Sequence, residues 1–217
     1  CANGIIHVID DVILPAEKRV LEFIKNQKRF STLIRLLTKL KNMGVEAVKS
    51  STPEVCRGKS KDAIRLIMND SEDSLIKFVN DFKEVFMTLS PEEVAFPRSC
   101  NNVNKYIDSN SIYKKGTPIH VKGALIYNYN INKHKLGMKY PLIRDGDKIK
   151  FLMLKQPNTV KDTVISFSTK IPYEFQLHKY VDYDTQFQKT FTDPLRFILD
   201  SIGWKLEREA TLEAFFG

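Results

Sequence analysis

Side chains able to do chemistry are sparse in this sequence, and their spacing limits what they could do. Asp182-Tyr183-Asp184-Thr185 sets two carboxylates two positions apart. Paired carboxylates are the residue type that holds divalent metal ions when a phosphoryl group is transferred in line. The histidines His7, His120, His134 and His178 stand singly, whereas a structural zinc site needs four ligands at short spacings. Cys1, Cys56 and Cys100 form no CxxC pair and lie far apart, a usage that suits a reducing compartment rather than a disulfide framework. The clearest chemical feature is charge. The chain carries a formal net charge of +8, and residues 114–155 hold ten basic side chains against two acidic ones. The remaining sequence is balanced. Nine of those ten are lysines, point charges that grip phosphate without the forked geometry of arginine, which favours backbone contact over base reading. Tyr113, Tyr127, Tyr129, Tyr140 and Phe151 lie among or beside them. Cations interleaved with aromatic rings suit a polyanion with flat bases or sugars, so nucleic acid is a better partner than a membrane. The plain alternative is a solvated basic face.

The elements that must position these residues follow from periodicity. At 217 residues, with 42% hydrophobic and 28% charged side chains, the chain has room for a core in one ordinary domain or two small ones. No run approaches the ~18 apolar residues of a membrane span, and no secretory signal is visible. The sequence opens on Cys1 rather than Met, as expected of a fragment or a processed product. Residues 3–15 read as a strand or strand pair and 16–40 as a helix, with a break near residue 44. Thr52 and Pro53 mark a helix start, continued by Ile64, Ile67 and Met68. Ser71 caps an amphipathic helix over 71–89, with Leu75, Val79, Phe82, Phe86 and Leu89 on one face. Residues 90–118, rich in Ser, Asn and Pro, read as loop. The alternation in 119–129 predicts a strand, Asp145-Gly146 within 141–155 a hairpin, and 163–167 a further strand. Thr192-Asp193-Pro194 opens a last helix through Leu195, Ile198, Leu199 and Ile202. The class is α+β: helices first, a basic β-rich middle, and a C-terminal helix and tail.

With these pieces placed, the strings KNMGVEAVKSSTP (41–53), HVKGALIY (120–127), YVDYDTQFQKTFTDPL (180–195) and ATLEAFFG (210–217) stand in a telling order. From about Lys41 to Gly217 the chain resembles the C-terminal end of family B DNA polymerases of the T-even bacteriophage type. The resemblance implies the edge of the palm and the thumb over 41–209, the part that holds double-stranded primer–template DNA. It also implies a clamp-binding tail over 210–217. The candidate DNA-binding residues are Lys49, Ser50 and Ser51 from the string at 41–53, His120, Lys122 and Gly123 from the family's His–aliphatic–basic–Gly pattern, and Lys114 and Lys115 from the charged segment. The first three precede a helix start, where free backbone amides favour an anion. In a strand, His120 and Lys122 would share one face. Leu212, Phe215 and Phe216 follow an LxxFF spacing, which puts an aliphatic and two aromatic side chains on one side of a helical turn, as sliding-clamp ligands do. Glu209 stands where cellular clamp ligands usually carry Gln.

What the resemblance leaves out is equally informative. The palm motif DxxSLYP is absent, and Asp182 and Asp184 fall by resemblance in the thumb, where the family holds no catalytic metal. They read as structural, with the catalytic role the alternative. The chain alone is expected to bind no metal and not to polymerise, with Mg²⁺ and catalysis belonging to the remainder of the polymerase. Residues 1–40 do not fit the polymerase: NGIIHVIDDVILP (3–15) and KRFSTLIRLLTKL (28–40) resemble parts of fasciclin-like adhesion domains, as an incomplete segment. A fasciclin-like adhesion or structural protein and a stand-alone nucleic-acid-binding module are the competing readings. The phage resemblance implies the host-cell cytoplasm.

Overall fold

A computed structural model describes residues 49–206. The expected strand and helix over 3–40, the break near residue 44 and the tail over 210–217 lie outside the described residues. The chain divides into two compact units, Glu46–Leu195 with Leu206–Gly217, and Cys1–Val45 with Arg196–Lys205.

The first unit begins with a helical layer. Helix α1 (Glu54–Asn69) starts with Pro53 at its N-cap position and no side-chain cap bond there. Glu54 lies in its first turn, where the helix dipole favours an acid. Its buried line is Cys56, Ser60, Ala63 and Ile67, set at helical spacing. Met68 remains 40% exposed, so the apolar stripe expected through it ends one residue earlier. Asp70 turns extended and stops α1. Ser71 then starts α2 (Glu72–Thr88), its side chain accepting from the Ser74 N–H. Leu75, Val79, Phe82 and Phe86 are buried along α2, as their spacing predicts.

Those two phenylalanines meet a second aromatic row. Asp182 caps helix α5 (Tyr183–Phe187), which continues through a π-helical turn over Gln188–Thr192. Phe82 and Phe191 rings lie 4.8 Å apart near perpendicular, and Phe86 and Phe187 rings 5.1 Å apart. Edge-on geometry of this kind adds to the burial of each ring. The Tyr183 hydroxyl donates to the Leu89 carbonyl at 2.7 Å, tying the end of α2 to α5.

The stretch read as loop, 90–118, contains more structure than expected. Helix α3 (Pro91–Val94) is opened by Ser90, whose N–H and hydroxyl both donate to the Glu93 carboxylate. Strand β1 (Phe96–Ser99) follows, then a 3₁₀ turn over Val103–Tyr106. β1 carries Pro97, which cannot donate to a sheet ladder and is tolerated at an edge. The sheet is antiparallel, in the order β1–β2–β3, with β2 over Lys148–Met153 and β3 over Val164–Phe167. Phe96 faces Phe151, Arg98 faces Ile149, and Phe151 faces Ser166. Beyond β2, Leu154 pairs with Val181 as an isolated bridge. The buried Gln186 amide joins the two layers, donating to the Val94 carbonyl at 2.8 Å and accepting from the Met153 N–H at 3.2 Å.

Two expectations are corrected here, while the α+β class stands. Residues 119–129 form no strand; they lie in helix α4 (Ile119–Lys133), which packs on β3. Val121, Gly123, Ala124, Leu125, Ile126, Tyr127, Asn130 and Ile131 are all buried. Burial around most of the girth lets a period of two coexist with a helical one, and only the 15-residue length separates them. The basic middle is thus helix, loop and one strand. Nor does Asp145-Gly146 close a hairpin. The Asn128 side chain donates to the Ile143 carbonyl and accepts from the Ile143 N–H, each at 2.8 Å. It takes the groups a strand at 141–144 would offer, and β2 pairs with β1 instead. Gly146 keeps its turn role, at φ +86°, a conformation open to glycine.

The last helix, α6, spans Asp193–Leu199 and stops short of Ile202. Among Arg196–Lys205, Gly203 adopts φ +77° and the Trp204 N–H bonds the Leu199 carbonyl at 3.0 Å, a glycine stop of the kind that ends many helices.

Candidate nucleic-acid interface

The expected DNA-binding residues fall into two neighbourhoods at the start of α4. The first contains Lys49, Ser50, Ser51 and His120. Lys49 and Ser50 are exposed, in a turn closed by the Thr52 N–H on the Lys49 carbonyl. Arg98, on β1, donates its guanidinium to the Ser51 carbonyl at 3.3 Å. The same Arg98 is close enough to His120 for its charge to count. Burial first, then that positive charge, hold the His120 imidazole below the ordinary histidine value. His120 is therefore a neutral ring at neutral pH, set 6.3 Å from Phe151. Sequence reasoning missed Arg98; its only signal was a lone arginine in a stretch read as loop.

The second neighbourhood contains Lys114, Lys115 and Lys122. Because 119–133 is helical, Lys122 sits about 200° around the axis from His120, not on a shared face. Its ammonium meets Asp162 Oδ1 at 2.7 Å, and the Tyr113 hydroxyl donates to Asp162 Oδ2 at 2.7 Å. The Lys122 Nζ also lies 4.8 Å from the Tyr113 ring centre. Desolvation opposes the charge on Lys122, but the bonds to Asp162 and Tyr113 outweigh it and raise its pKa. Lys114 caps its own loop, donating from Nζ to the Lys105 carbonyl at 3.0 Å. Lys115 is exposed and makes no ion pair among the described residues.

Gly123 lies beneath this surface rather than on it. A Cβ at Gly123 would stand 2.5 Å from Ser166 Oγ and 2.8 Å from the Ser166 amide nitrogen. Ser166 in turn donates to the His120 carbonyl at 2.8 Å. The glycine lets α4 approach β3 closely, and this seats the first turn of the helix.

The basic segment does not present all its charge freely. Lys139 pairs with Glu174 at 2.6 Å, Lys155 approaches Asp184 at 3.8 Å, and Lys150 donates to the Glu92 carbonyl at 2.8 Å. Lys115, Lys133, Lys135, Arg144 and Lys148 are exposed, and none forms an ion pair among the described residues.

Asp182 and Asp184 do not converge on a metal. Asp182 accepts from the Thr185 N–H at 3.1 Å and from its hydroxyl at 2.8 Å, and Asp184 pairs with Lys83 at 3.0 Å. No group of three His, Cys, Asp or Glu side chains that could hold a metal occurs among the described residues. Cys56 and Cys100 are free, buried thiols, each pushed up to about 11, chiefly by desolvation. No helix among the described residues is long and apolar enough to cross a membrane.

The described residues form an α+β fold with a lysine-rich loop–helix–strand segment. The sequence supplies the relationship: it is similar to DNA-directed DNA polymerases of bacteriophages. One from Enterobacteria phage T4 is 30% identical over 182 residues, covering 82% of this chain and 20% of the relative. One from Escherichia phage RB69 is 31% identical over 183 residues, with the same 82% and 20% coverage. The chain thus spans about a fifth of the length of these curated relatives. The resemblance drawn from the sequence is found again in these two relatives, whereas the fasciclin-like likeness of residues 1–40 finds no such support. No family model matches the chain.

Proposed function

We propose that this chain is the duplex-holding part of a phage-type family B DNA polymerase and serves in DNA replication. Residues 41–209 form the palm edge and thumb, and residues 210–217 tether the polymerase to a sliding clamp through Leu212, Phe215 and Phe216. The observation that carries this reading is the similarity to two phage DNA polymerases over 82% of the chain. The charge distribution supports it. A thumb must hold duplex of any sequence, so it works through phosphates, and exposed lysines do this without reading bases. Lys114 and Lys115 supply charge from the loop before α4, Lys122 from the helix, and Lys49 with Ser50 and Ser51 from the start of α1. His120 contributes a neutral ring edge, and Gly123 acts through packing.

Catalysis and its Mg²⁺ belong to the remainder of the polymerase, and the setting is the host-cell cytoplasm. Residues 1–40 stand outside this assignment.

The test is duplex binding at several salt concentrations. The Lys114→Ala, Lys115→Ala, Lys122→Ala triple variant is expected to bind more weakly. Its log-affinity slope against log salt flattens by roughly 0.9 for each phosphate that is no longer neutralised. Equal affinity and slope in the parent and the triple variant would remove the proposal.

A further inference from the structure

The Asp162 carboxylate gathers three separate stretches of chain. Its Oδ1 takes the Lys122 ammonium at 2.7 Å and the Thr163 N–H at 2.6 Å, and its Oδ2 takes the Tyr113 hydroxyl at 2.7 Å. Lys122 comes from α4, Tyr113 from the loop that carries Lys114 and Lys115, and Asp162 from the connection between β2 and β3. That connection is itself fixed, since Asn158 donates its side-chain amide to the carbonyls of Lys155 and Asp162 at 2.8 and 2.7 Å. The Lys122 and Asp162 side chains are only 24% and 13% exposed, unlike the exposed surface lysines of the same segment.

An unrestrained lysine loses rotamer freedom when it grips a ligand, and the loss weakens binding. Lys122 is already ordered in the free chain. Its ammonium carries three protons. Asp162 Oδ1 holds it at 2.7 Å, and the Tyr113 ring centre lies 4.8 Å from it. The Lys122 side chain keeps 24% of its surface open to solvent, so the ammonium can still meet a ligand.

We infer that Tyr113 and Asp162 are positioning residues that hold the Lys122 ammonium oriented toward a duplex acceptor. The inference rests on the proposed function, because it presumes that Lys122 meets DNA. The carboxylate does not repel the duplex, since both its oxygens are engaged and its charge is matched by Lys122. Asp162 is not marked by the sequence: it lies 40 positions from Lys122 in a stretch with no motif.

A double-mutant cycle on the full chain separates positioning from general support. Duplex affinity is measured for the parent, Tyr113→Phe, Lys122→Ala and the double variant, with melting temperatures alongside. Tyr113→Phe removes one oxygen and keeps the ring. It is expected to weaken binding about fivefold when Lys122 is present and not at all in the Lys122→Ala background. Asp162→Glu, which keeps the charge but displaces it by one methylene, follows the same pattern and serves should Tyr113→Phe unfold the loop. Equal weakening in both backgrounds, no weakening, or tighter binding from release of Lys122 would each overturn the inference. A parent chain that bound no duplex would overturn the proposed function, and this inference with it.

Discussion

The helical layer and the sheet with α4 differ in how their charged side chains are paired. In the helical layer, Arg65 pairs with Asp62 one turn away, Asp70 accepts from Ser71 and Ser74 next to it, and Lys83 with Asp184 is the distant pair, joining α2 to α5. In the sheet layer the pairs span the sequence: Lys122 with Asp162, and Lys139 with Glu174, 35 residues on. Local pairs support a helix that burial already specifies, each contributing a few tenths of a kcal/mol. Distant pairs tie together loops that have few apolar side chains of their own. The first layer is held by aromatic packing, and the second by a buried aliphatic core that includes Ile126, Ile131, Leu152 and Ile165, with polar ties and one close backbone approach added. Electrostatic substitutions should therefore loosen the loops of the second more than the first, whereas cavities should cost stability in both.

The largest effect expected is a cavity in the helical layer. Phe86 is fully buried and touches the rings of Phe82, Phe187 and Tyr183. Phe86→Ala should cost about 3–5 kcal/mol in chemical denaturation. A loss below about 1 kcal/mol would mean that the aromatic cluster does not carry this layer.

Next comes the contact on which the sheet layer depends. Gly123→Ala forces a methyl against Ser166 and should destabilise by about 1–3 kcal/mol. Adding Ser166→Gly relieves the contact with Oγ but not that with the amide nitrogen at 2.8 Å, so only part of the stability should return. Full recovery would show that the strand backbone gives way easily, and that the approach of α4 is not fixed by the glycine.

A smaller effect sharpens the contrast between near and distant pairs. The Lys139 ammonium, with the Tyr140 hydroxyl, holds the Glu174 carboxyl down from 4.5 to about 2. A depressed acid contributes stability that is complete above its ordinary value and is lost as pH falls through about 2. The pair is solvent-exposed and salt screens it, so the gain is modest. Carboxyl chemical shifts should place Glu174 near 2, and Lys139→Gln should return it toward 4.5. A Glu174 that titrates at the ordinary value with Lys139 intact would dissolve this tie.

How much of this was legible in the sequence follows the same division. Helix α2 could be read outright, because Ser71 and the Leu75, Val79, Phe82, Phe86 spacing are local signals. Helix α4 was misread because its burial nearly all round erased the polar face that marks a surface helix. Strand β1 was hidden by Pro97 and by a partner 50 residues away. The failed hairpin turned on Asn128, whose amide occupies the backbone of Ile143, a contact no turn signal discloses. Among the candidate site residues, exposure of Lys114 and Lys115 matched their setting in a polar loop. The engagement of Lys122 and the burial of Gly123 depended on Asp162 and Ser166, both distant in the sequence.

The central claim is that the charge of residues 114–155 faces DNA, while that of the helical layer beyond the Lys49 turn does not. Two variants with equal loss of charge decide it: Lys115→Gln, Lys133→Gln, Lys148→Gln in the first region, and Lys61→Gln, Lys77→Gln, Lys189→Gln in the second. All six lysines are exposed, so melting temperatures should stay near that of the parent. The first variant is expected to lose duplex affinity and to flatten the salt slope by roughly 0.9 per phosphate left without its lysine, with the second unchanged. Equal losses in the two variants would mean that net charge alone governs binding, and would contradict the account.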